Sequence, residues 1–447
     1  MKISTSFIGQ SIMTGLILSL ILSFASCSNS NSGNTSELLS TIPSDVSVVA
    51  TIDLEDILED MGCKVDDSSI KISNELQAVL NSSHHGELSK IIEDIKDGGV
   101  HPSVVALFIE GYNSYMTGFL SDTEAFKQKI SKEFNEEFET EGELATCGNV
   151  AVVGNRFWIS LSSRNSIVSS DIKHFISLSE KQSLISNKTA VETLEDQDHD
   201  ITVWGDIKGC LNAAQLDFAV KGATNMAIEG AFADASYIVA GADFDKGKLS
   251  AEMTVLNSKG GIAKFLFPTG KIQAETIRKM GVASDAIFAT AITHDMIKLL
   301  KENTQSQGFS MIGLAANLMS CIDGTCAAAT DIDGNIAGVF STSGNDVAAL
   351  SEALSQYGFK VTKDSNLLRF SQGAPTSGDL SAEDAASELK GNAAGVYISG
   401  HLLKDYSDGK ISSIVATLSP EKGGLSLKLT ISSTNPKENI LTTLIRD

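Results

Sequence analysis

Apolar and polar positions alternate over long stretches of the chain, and this alternation predicts many strands. Residues 238–254 and 414–430 each read as a strand, a Lys-Gly turn and a second strand. Segments with helical spacing lie between the strands, as at residues 121–134, where a capping-box sequence precedes an apolar face. Hairpins mixed with helices predict an α+β fold with largely antiparallel sheets.

The pattern also repeats within the chain. Residues 42–61 and 282–300 align without a gap at a spacing of 240, as a Ser-Asp loop, a strand and a helix that begins at once. The two hairpins align at a spacing of 176 and share Leu-Ser-x-x-x-x-Thr. The Ala/Gly-rich residues 209–235 predict one or two extra helices in the first copy. We therefore expect two tandem copies of a mixed α/β unit, at residues 38–268 and 269–447.

The N-terminus has the layout of an export signal. Lys2 gives an early positive charge, residues 12–22 form an apolar run, and Phe-Ala-Ser-Cys ends at Cys27. The run is short for a spanning helix. It is typical of a bacterial lipoprotein signal peptide over residues 1–27, in which Cys27 is lipidated. An ordinary secretory peptide that contains a cysteine is the alternative.

The segment after Cys27 indicates where the protein resides. Residues 28–37 are polar and small, which predicts a flexible tether between the lipid and the folded body. No acidic run follows Cys27 directly, so we expect an outer-membrane lipoprotein that faces the periplasm. Exposure on the cell surface is the alternative.

Composition narrows the range of partners. The formal net charge is −22, and such a surface repels nucleic-acid phosphates and anionic lipids. Membrane attachment is therefore expected through the N-terminal lipid alone, with a protein of the cell envelope as a candidate partner. Apolar residues make up 42% of the chain, which suffices for well-packed cores.

Two cysteines lie close together in the sequence. Cys321 and Cys326 are separated by Ile-Asp-Gly-Thr, and a turn there would allow a disulfide in an exported chain. Cys63, Cys147 and Cys210 have no local partner, and the odd count leaves at least one free thiol. The spacing of cysteines and histidines favours no zinc site.

Acidic clusters offer candidate cation sites, each with a simpler interpretation. Asp331-Ile-Asp-Gly-Asn335 resembles the start of a calcium loop but lacks the later ligands, which favours a hairpin turn. The cluster at residues 195–200 surrounds His199 with carboxylates and reads as a solvated loop. His84 and His85 read as part of a surface loop.

One carboxylate pair lies where a strand meets a helix. Asp53 and Glu55 would suit paired-carboxylate chemistry, but Thr293 and Asp295 stand at these positions in the second copy. Helix capping accounts for all four residues. The sequence also contains no nucleophile elbow, zinc-protease motif or phosphate loop, so we expect no cofactor and lean towards a protein without catalysis.

A family resemblance supports the proposed location. The opening Ile42-Pro-Ser-Asp-Val-Ser-Val-Val-Ala-Thr-Ile-Asp-Leu-Glu-Asp-Ile-Leu, with the Cys27 motif, resembles the domain of unknown function family 4836 of Bacteroidota-type lipoproteins. The match covers residues 27–61. It implies an exported lipoprotein with a mixed α/β fold, and the family has no assigned activity.

Three functions remain open on the sequence alone. The first is binding or assembly in the cell envelope through protein contacts. The second is a carrier or sensor for a small molecule, peptide or glycan in a cleft between the copies. The third is a hydrolase whose site is assembled from distant residues. An exposed apolar patch would favour the first, a deep apolar pocket the second, and an acidic cleft with perturbed carboxylates the third.

Overall fold

The computed structural model describes residues 32–66, 69–74, 76–77, 98–162, 169–195, 199–214, 218–280, 285–307, 319–343, 347–373 and 382–445. The described helices are α1 (Ser32–Leu39), α2 (Leu54–Asp60), α3 (Thr123–Phe134), α4 (Ser169–Ile176), α5 (Lys188–Glu195), α6 (Ile207–Ala213), α7 (Phe218–Ala231), α8 (Ala274–Arg278), α9 (His294–Gln307), α10 (Ala348–Gln356), α11 (Ala382–Leu389), α12 (Gly400–Ser407) and α13 (Ile440–Ile445). Short 3-10 turns occupy Leu184–Ser186 and Met319–Cys321.

The described strands are β1 (Val48–Asp53), β2 (Cys63–Asp66), β3 (Ser69–Ile72), β4 (Val104–Glu110), β5 (Asn113–Phe119), β6 (Glu139–Glu141), β7 (Leu144–Cys147), β8 (Val150–Val153), β9 (Arg156–Ser160), β10 (Ile201–Asp206), β11 (Phe232–Ala233), β12 (Ala235–Asp245), β13 (Lys248–Asn257), β14 (Lys264–Phe265), β15 (Ala286–Ile292), β16 (Ile322–Thr330), β17 (Ile336–Thr342), β18 (Lys360–Asp364), β19 (Leu367–Gln372), β20 (Ala394–Ser399), β21 (Ile411–Glu421) and β22 (Gly424–Ser433).

One large sheet contains 18 of these strands. Its order from edge to edge is β6-β7-β8-β9-β5-β4-β1-β10-β12-β13-β22-β21-β20-β15-β16-β17-β19-β18, and every neighbouring pair is antiparallel. The predicted α+β class with largely antiparallel sheets is confirmed.

The two halves of the sheet have the same strand order. The first half runs β5-β4-β1-β10-β12-β13, and the second runs β17-β16-β15-β20-β21-β22. Strands β13 and β22 then pair with each other, so the halves meet edge to edge in one ladder. The predicted boundary between residues 268 and 269 lies in the loop between β14 and α8.

Side-chain caps fix where several helices begin. The Asp122 carboxylate accepts hydrogen bonds from the backbone N–H groups of Glu124 (3.0 Å) and Ala125 (2.9 Å) at the start of α3. The cap is therefore Asp122 rather than Ser121 of the predicted capping box. Helix α3 ends at Asn135, whose φ of 54° is the left-handed conformation that Asn tolerates well. The extra helix expected in residues 209–235 is α7, because α6 matches α12 of the second half.

Part of the predicted flexible tether is helical. The prediction covers residues 28–37, whereas residues 32–37 lie in α1. Isolated polar helices of this length are unstable in water, so tertiary contacts must hold this one. Its last residues, Leu38 and Leu39, and the following Ile42 are fully buried. The polar composition of the segment concealed this apolar anchor.

Helices cover the two sides of the sheet unequally. We call the side that carries Val49, Trp204 and Ile287 the closed face, and the opposite side, which carries Ile52 and Met253, the open face. Helices α1, α4 and α5 cover the closed face of the first half, and α8 and α11 cover that of the second. On the open face, α3 and α10 cover the outer strands, and α2, α13 and the β2–β3 hairpin cover one end of the first half.

Within the described ranges, no helix is long and apolar enough to cross a membrane.

Candidate functional site

The junction of the two halves is a four-stranded ribbon, β12-β13-β22-β21, that we call the central ribbon. Successive side chains of a strand point to opposite faces, and the sequence of β13 and β22 alternates in step with that rule. Over residues 249–255 of β13 and 425–431 of β22, the open-face positions are all apolar: Leu249, Ala251, Met253, Val255, Leu425, Leu427, Leu429 and Ile431. The neighbouring strands continue this surface with Ala240, Ala242, Ala416 and Leu418.

This apolar surface is only partly covered. Met253 and Leu427 lie directly opposite each other across the junction and are 37% and 40% exposed. Phe288 on β15 continues the same face and is 50% exposed. Single exposed apolar residues are ordinary, but a contiguous set on one sheet face is typical of an interaction surface.

At the centre of the β13–β22 ladder, the closed face is polar and internally paired. Glu252 and Lys428 lie opposite each other, and the Lys428 ammonium is 3.4 Å from the Glu252 carboxylate. The Nδ1 atom of His199 is 3.0 Å from both oxygens of Asp243, and its Nε2 atom is 3.7 Å from Glu252. This network therefore contains its own charge partners.

This network lies on the symmetry axis that relates the two copies of the internal repeat. Glu252 and Lys428 are separated by 176 positions, which is the spacing of the repeated hairpin, so the pseudo-twofold axis runs between them. The hydrogen bond from Ser419 Oγ to Asn392 Oδ1 (2.6 Å) matches the contact of His199 with Asp243 in the other half. In each pair, one residue lies two positions before the corresponding strand, β10 or β20. The other lies on the adjacent hairpin strand, β12 or β21.

The described residues favour structural roles for most of the acidic candidates. Asp331 accepts hydrogen bonds from the backbone N–H groups of Asp333 (3.0 Å) and Asn335 (2.9 Å), and β16 and β17 pair on either side. This is the hairpin turn of the simpler interpretation. No group of three or more His, Cys, Asp or Glu residues in the described ranges has the arrangement of a metal site.

Capping accounts for the strand-to-helix carboxylate. Asp53 accepts from the backbone N–H groups of Glu55 (3.1 Å) and Asp56 (3.3 Å), and Thr293 caps α9 by accepting from Met296 (3.2 Å). Burial raises the pKa of the Asp53 carboxyl above its usual 3.8, although the hydrogen bonds from Asp56 and Glu55 oppose this rise.

The other carboxyls with raised pKa values lie apart from Asp53. Burial is the main cause of the raised pKa of Asp60 at the far end of α2, and also of that of Glu110 at the end of β4. Asp45 and Asp171 add to the rise at Glu110 through charge repulsion. These groups sit on separate elements and do not form a shared acid–base pair.

The cysteines of the candidate disulfide are not bonded to each other in this structure. Cys321 and Cys326 are buried in one apolar cluster with Leu350 and Leu368, under α10. Burial, with a smaller effect of the neighbouring Cys321, raises the pKa of Cys326 to about 12. The lipidation site Cys27, the pair His84 and His85, and residues 196–198 lie outside the described residues.

Two cavities lie at the margins of the ribbon. The larger has a volume of about 560 Å³ and is bordered by Asp60, Met61, Lys246 and Asn439. The smaller has about 440 Å³ and is bordered by Asp206, Glu229 and Tyr237. Both have mixed polar and apolar linings, whereas the open face has an apolar floor.

Comparisons with known proteins give only distant similarity. No protein-family profile matches the chain, and no curated protein matches it. Crystal forms I and III of a protein named TP0453 match at 10% sequence identity, with TM-scores of 0.27 and 0.28. Each match covers 78% of this chain, and 95% or 96% of the other. Similarity of this degree carries no conclusion about function.

Proposed function

We propose that this protein is an exported, lipid-anchored binding or assembly protein of the cell envelope, which uses the open face of its central ribbon to hold a partner. The observation that carries the proposal is the contiguous apolar surface around Met253, Leu427 and Phe288. The lipid anchor at Cys27 rests on the sequence of the signal peptide, and the resemblance of residues 27–61 to family 4836 supports it.

The cost of leaving this surface in water supports a binding role. Burial of apolar surface contributes about 25 cal/mol per Å². A chain that covers its closed-face apolar strands with five helices leaves the open-face centre half-exposed and forgoes that stabilisation there. A partner that covers the centre gains it on binding.

The junction itself favours this function over a carrier with a cleft between domains. The halves share the β13–β22 ladder, so the described part of the junction is a sheet with two faces. At the centre of the β13–β22 ladder, one face is polar and internally paired, and the other is apolar and half-exposed. The described residues also gather no pair of perturbed carboxylates, which leaves the hydrolase hypothesis without a site.

The test combines the anchor with the surface. Cys27→Ala should release the protein from the membrane fraction, and unchanged membrane association would contradict the anchor. Partner capture from intact envelopes should fall at least tenfold for the double variant Met253→Ser/Leu427→Ser. The matched control is Tyr112→Ser, which alters a 75% exposed side chain in the distant β4–β5 turn. Equal capture by both variants would contradict a role for the open face.

A further inference from the structure

We infer that the open face points away from the bilayer that anchors the protein, and that its occupant is an amphipathic helix of a partner protein with basic residues flanking its apolar side. This inference rests on the proposed lipid anchor at Cys27. It identifies the class of partner for the surface described above.

The first step is that α1 is fixed to the closed face. Leu38, Leu39 and Ile42 are fully buried in the cluster that also contains Val49 and Trp204. Just after α1, the Thr41 hydroxyl accepts a 3.0 Å hydrogen bond from the Arg156 guanidinium. That guanidinium is itself buried and lies 5.0 Å from the centre of the Phe119 ring. Helix α1 is therefore part of the folded body.

The second step is the reach of the chain before α1. Five residue steps separate Cys27 from Ser32. A fully extended chain spans at most about 3.6 Å per residue, so the lipid lies within about 18 Å of the start of α1. The side of the body that carries α1 must stay near the anchoring bilayer.

The reach of the tether is shorter than the path around the folded body to the open face. To lay the open face on the same bilayer, the tether would pass the closed-face helix layer, about 10 Å deep. It would then round the end of β1 or β4, about 11 Å from the middle of strands of six or seven residues. Helix α2 and the β2–β3 hairpin add a further layer on the open side. The path exceeds the reach, so the anchoring bilayer does not cover the open face.

The negative charge of the protein favours a basic partner. The net charge of −22 disfavours association with a second, equally acidic copy and with anionic lipids. Helix α2, at one end of the open face, has the sequence Leu-Glu-Asp-Ile-Leu-Glu-Asp and carries no basic residue. A complementary partner therefore has an apolar centre and Lys or Arg at its margins.

The shape of the site follows from how the rest of the sheet is covered. Helices α1, α4, α5, α8 and α11 cover the closed face, and α3 and α10 cover the outer strands of the open face. The central ribbon is four strands wide, about 19 Å, which accommodates a helix about 10 Å in diameter. A partner helix would complete the same packing, as in other helix-in-groove complexes.

The orientation is tested with lipidated full-length protein in phosphatidylcholine vesicles that contain a headgroup-labelled quencher lipid. Fluorophores are placed in turn at Ser36→Cys, on the exposed side of α1, and at Leu427→Cys. We expect at least threefold stronger quenching at position 36 than at position 427. Equal or stronger quenching at 427 would overturn the orientation. Protein that does not float with the vesicles would instead refute the anchor, so the two failures are distinguishable.

The partner class is tested with the anchored protein in phosphatidylcholine nanodiscs, with empty nanodiscs subtracted as the blank. An 18-residue Leu/Lys amphipathic peptide should bind wild type at least tenfold more tightly than Met253→Ser/Leu427→Ser, and Tyr112→Ser should bind as wild type does. A Leu/Glu peptide of the same pattern should bind at least tenfold more weakly than the Leu/Lys peptide. Equal binding of the two peptides would overturn the charge assignment. A wild-type dimer that Leu427→Ser dissociates would overturn the inference in favour of a second copy.

Discussion

The two faces of the central ribbon are formed by alternate residues of the same strands, and at the centre of the β13–β22 ladder they differ sharply in chemistry. On β22, Leu427 faces the open side and its neighbour Lys428 faces the closed side, and both are substantially exposed. Lys428 has a charge partner in Glu252, whereas Leu427 meets only other apolar side chains across the strand pair. The difference shows that exposure alone does not mark a binding surface. What marks it is exposure without a partner of matching chemistry.

The largest expected difference in stability is between the covered closed face and the open centre of the central ribbon. Trp204 is fully buried on the closed face, so Trp204→Ala should lower the free energy of unfolding by about 3–5 kcal/mol. Leu427→Ala removes a side chain that is 40% exposed and should cost about 1 kcal/mol or less. Urea denaturation of the two variants measures both values. Equal losses of unfolding free energy would mean that the centre of the open face is packed as tightly as the closed face.

The reactivity of thiols distinguishes the part of the open face that α10 covers from its uncovered centre. Cys326 lies under α10, and burial raises its pKa to about 12, so little thiolate forms at pH 8. A cysteine introduced as Leu427→Cys should react with iodoacetamide at least 100-fold faster than Cys326 in the folded protein. Mass spectrometry of timed samples gives both rates. Similar rates would contradict the open centre.

The same experiment addresses the candidate disulfide. Both thiols of Cys321 and Cys326 should be alkylated after unfolding, because the structure has no disulfide between them. Protein isolated from envelopes with a mass lower by about 2 Da, and with neither thiol alkylated, would show that the sequence-based disulfide forms in the cell.

The charge pair on the pseudo-twofold axis gives a smaller effect. Glu252→Lys places a second cation opposite Lys428 and should lower the free energy of unfolding by about 1 kcal/mol or less, since both side chains are nearly half-exposed. The double variant Glu252→Lys/Lys428→Glu should recover most of this loss. A double-mutant cycle measures the coupling. A double variant as unstable as the sum of the single changes would contradict the pairing.

A pH dependence of stability is the smallest expected effect. The pKa of Asp53 is raised in the folded protein by burial, so the folded state binds the proton more tightly than the unfolded state does. Stability contributed by this group therefore falls as pH rises from its unfolded pKa near 3.8 through the raised folded value. Asp53→Asn keeps a helix cap and should remove that part of the slope. An unchanged slope between wild type and variant would contradict the assignment.

Much of the fold was visible in the sequence because it depends on local periodicity. The repeated hairpins, the α+β class and the cap at Asp53 each rest on residues a few positions apart. The pairing of β13 with β22 joins residues 172 to 184 positions apart, and no local pattern encodes it. The buried anchor of α1 was missed for the same reason, since Leu38 and Leu39 are stabilised by contacts with distant residues such as Trp204.

The candidate site was missed although its signal was present. Residues 249–255 and 425–431 alternate strictly, with Leu, Ala, Met, Val and Ile at one parity and Ser, Thr, Glu and Lys at the other. Alternation predicts a strand with one apolar face, but it does not tell whether a helix covers that face. Coverage depends on where the remaining helices pack, which the spacing of one strand does not determine.

A photoreactive amino acid at position 427 or position 428 of the lipidated protein in living cells tests most directly whether the open face holds a partner protein. The two neighbours have similar exposure and point to opposite faces of the ribbon. We expect a discrete protein adduct from position 427 and at least tenfold less from position 428. Equal adducts from both positions, or lipid adducts alone from position 427, would contradict a partner-binding role of the open face.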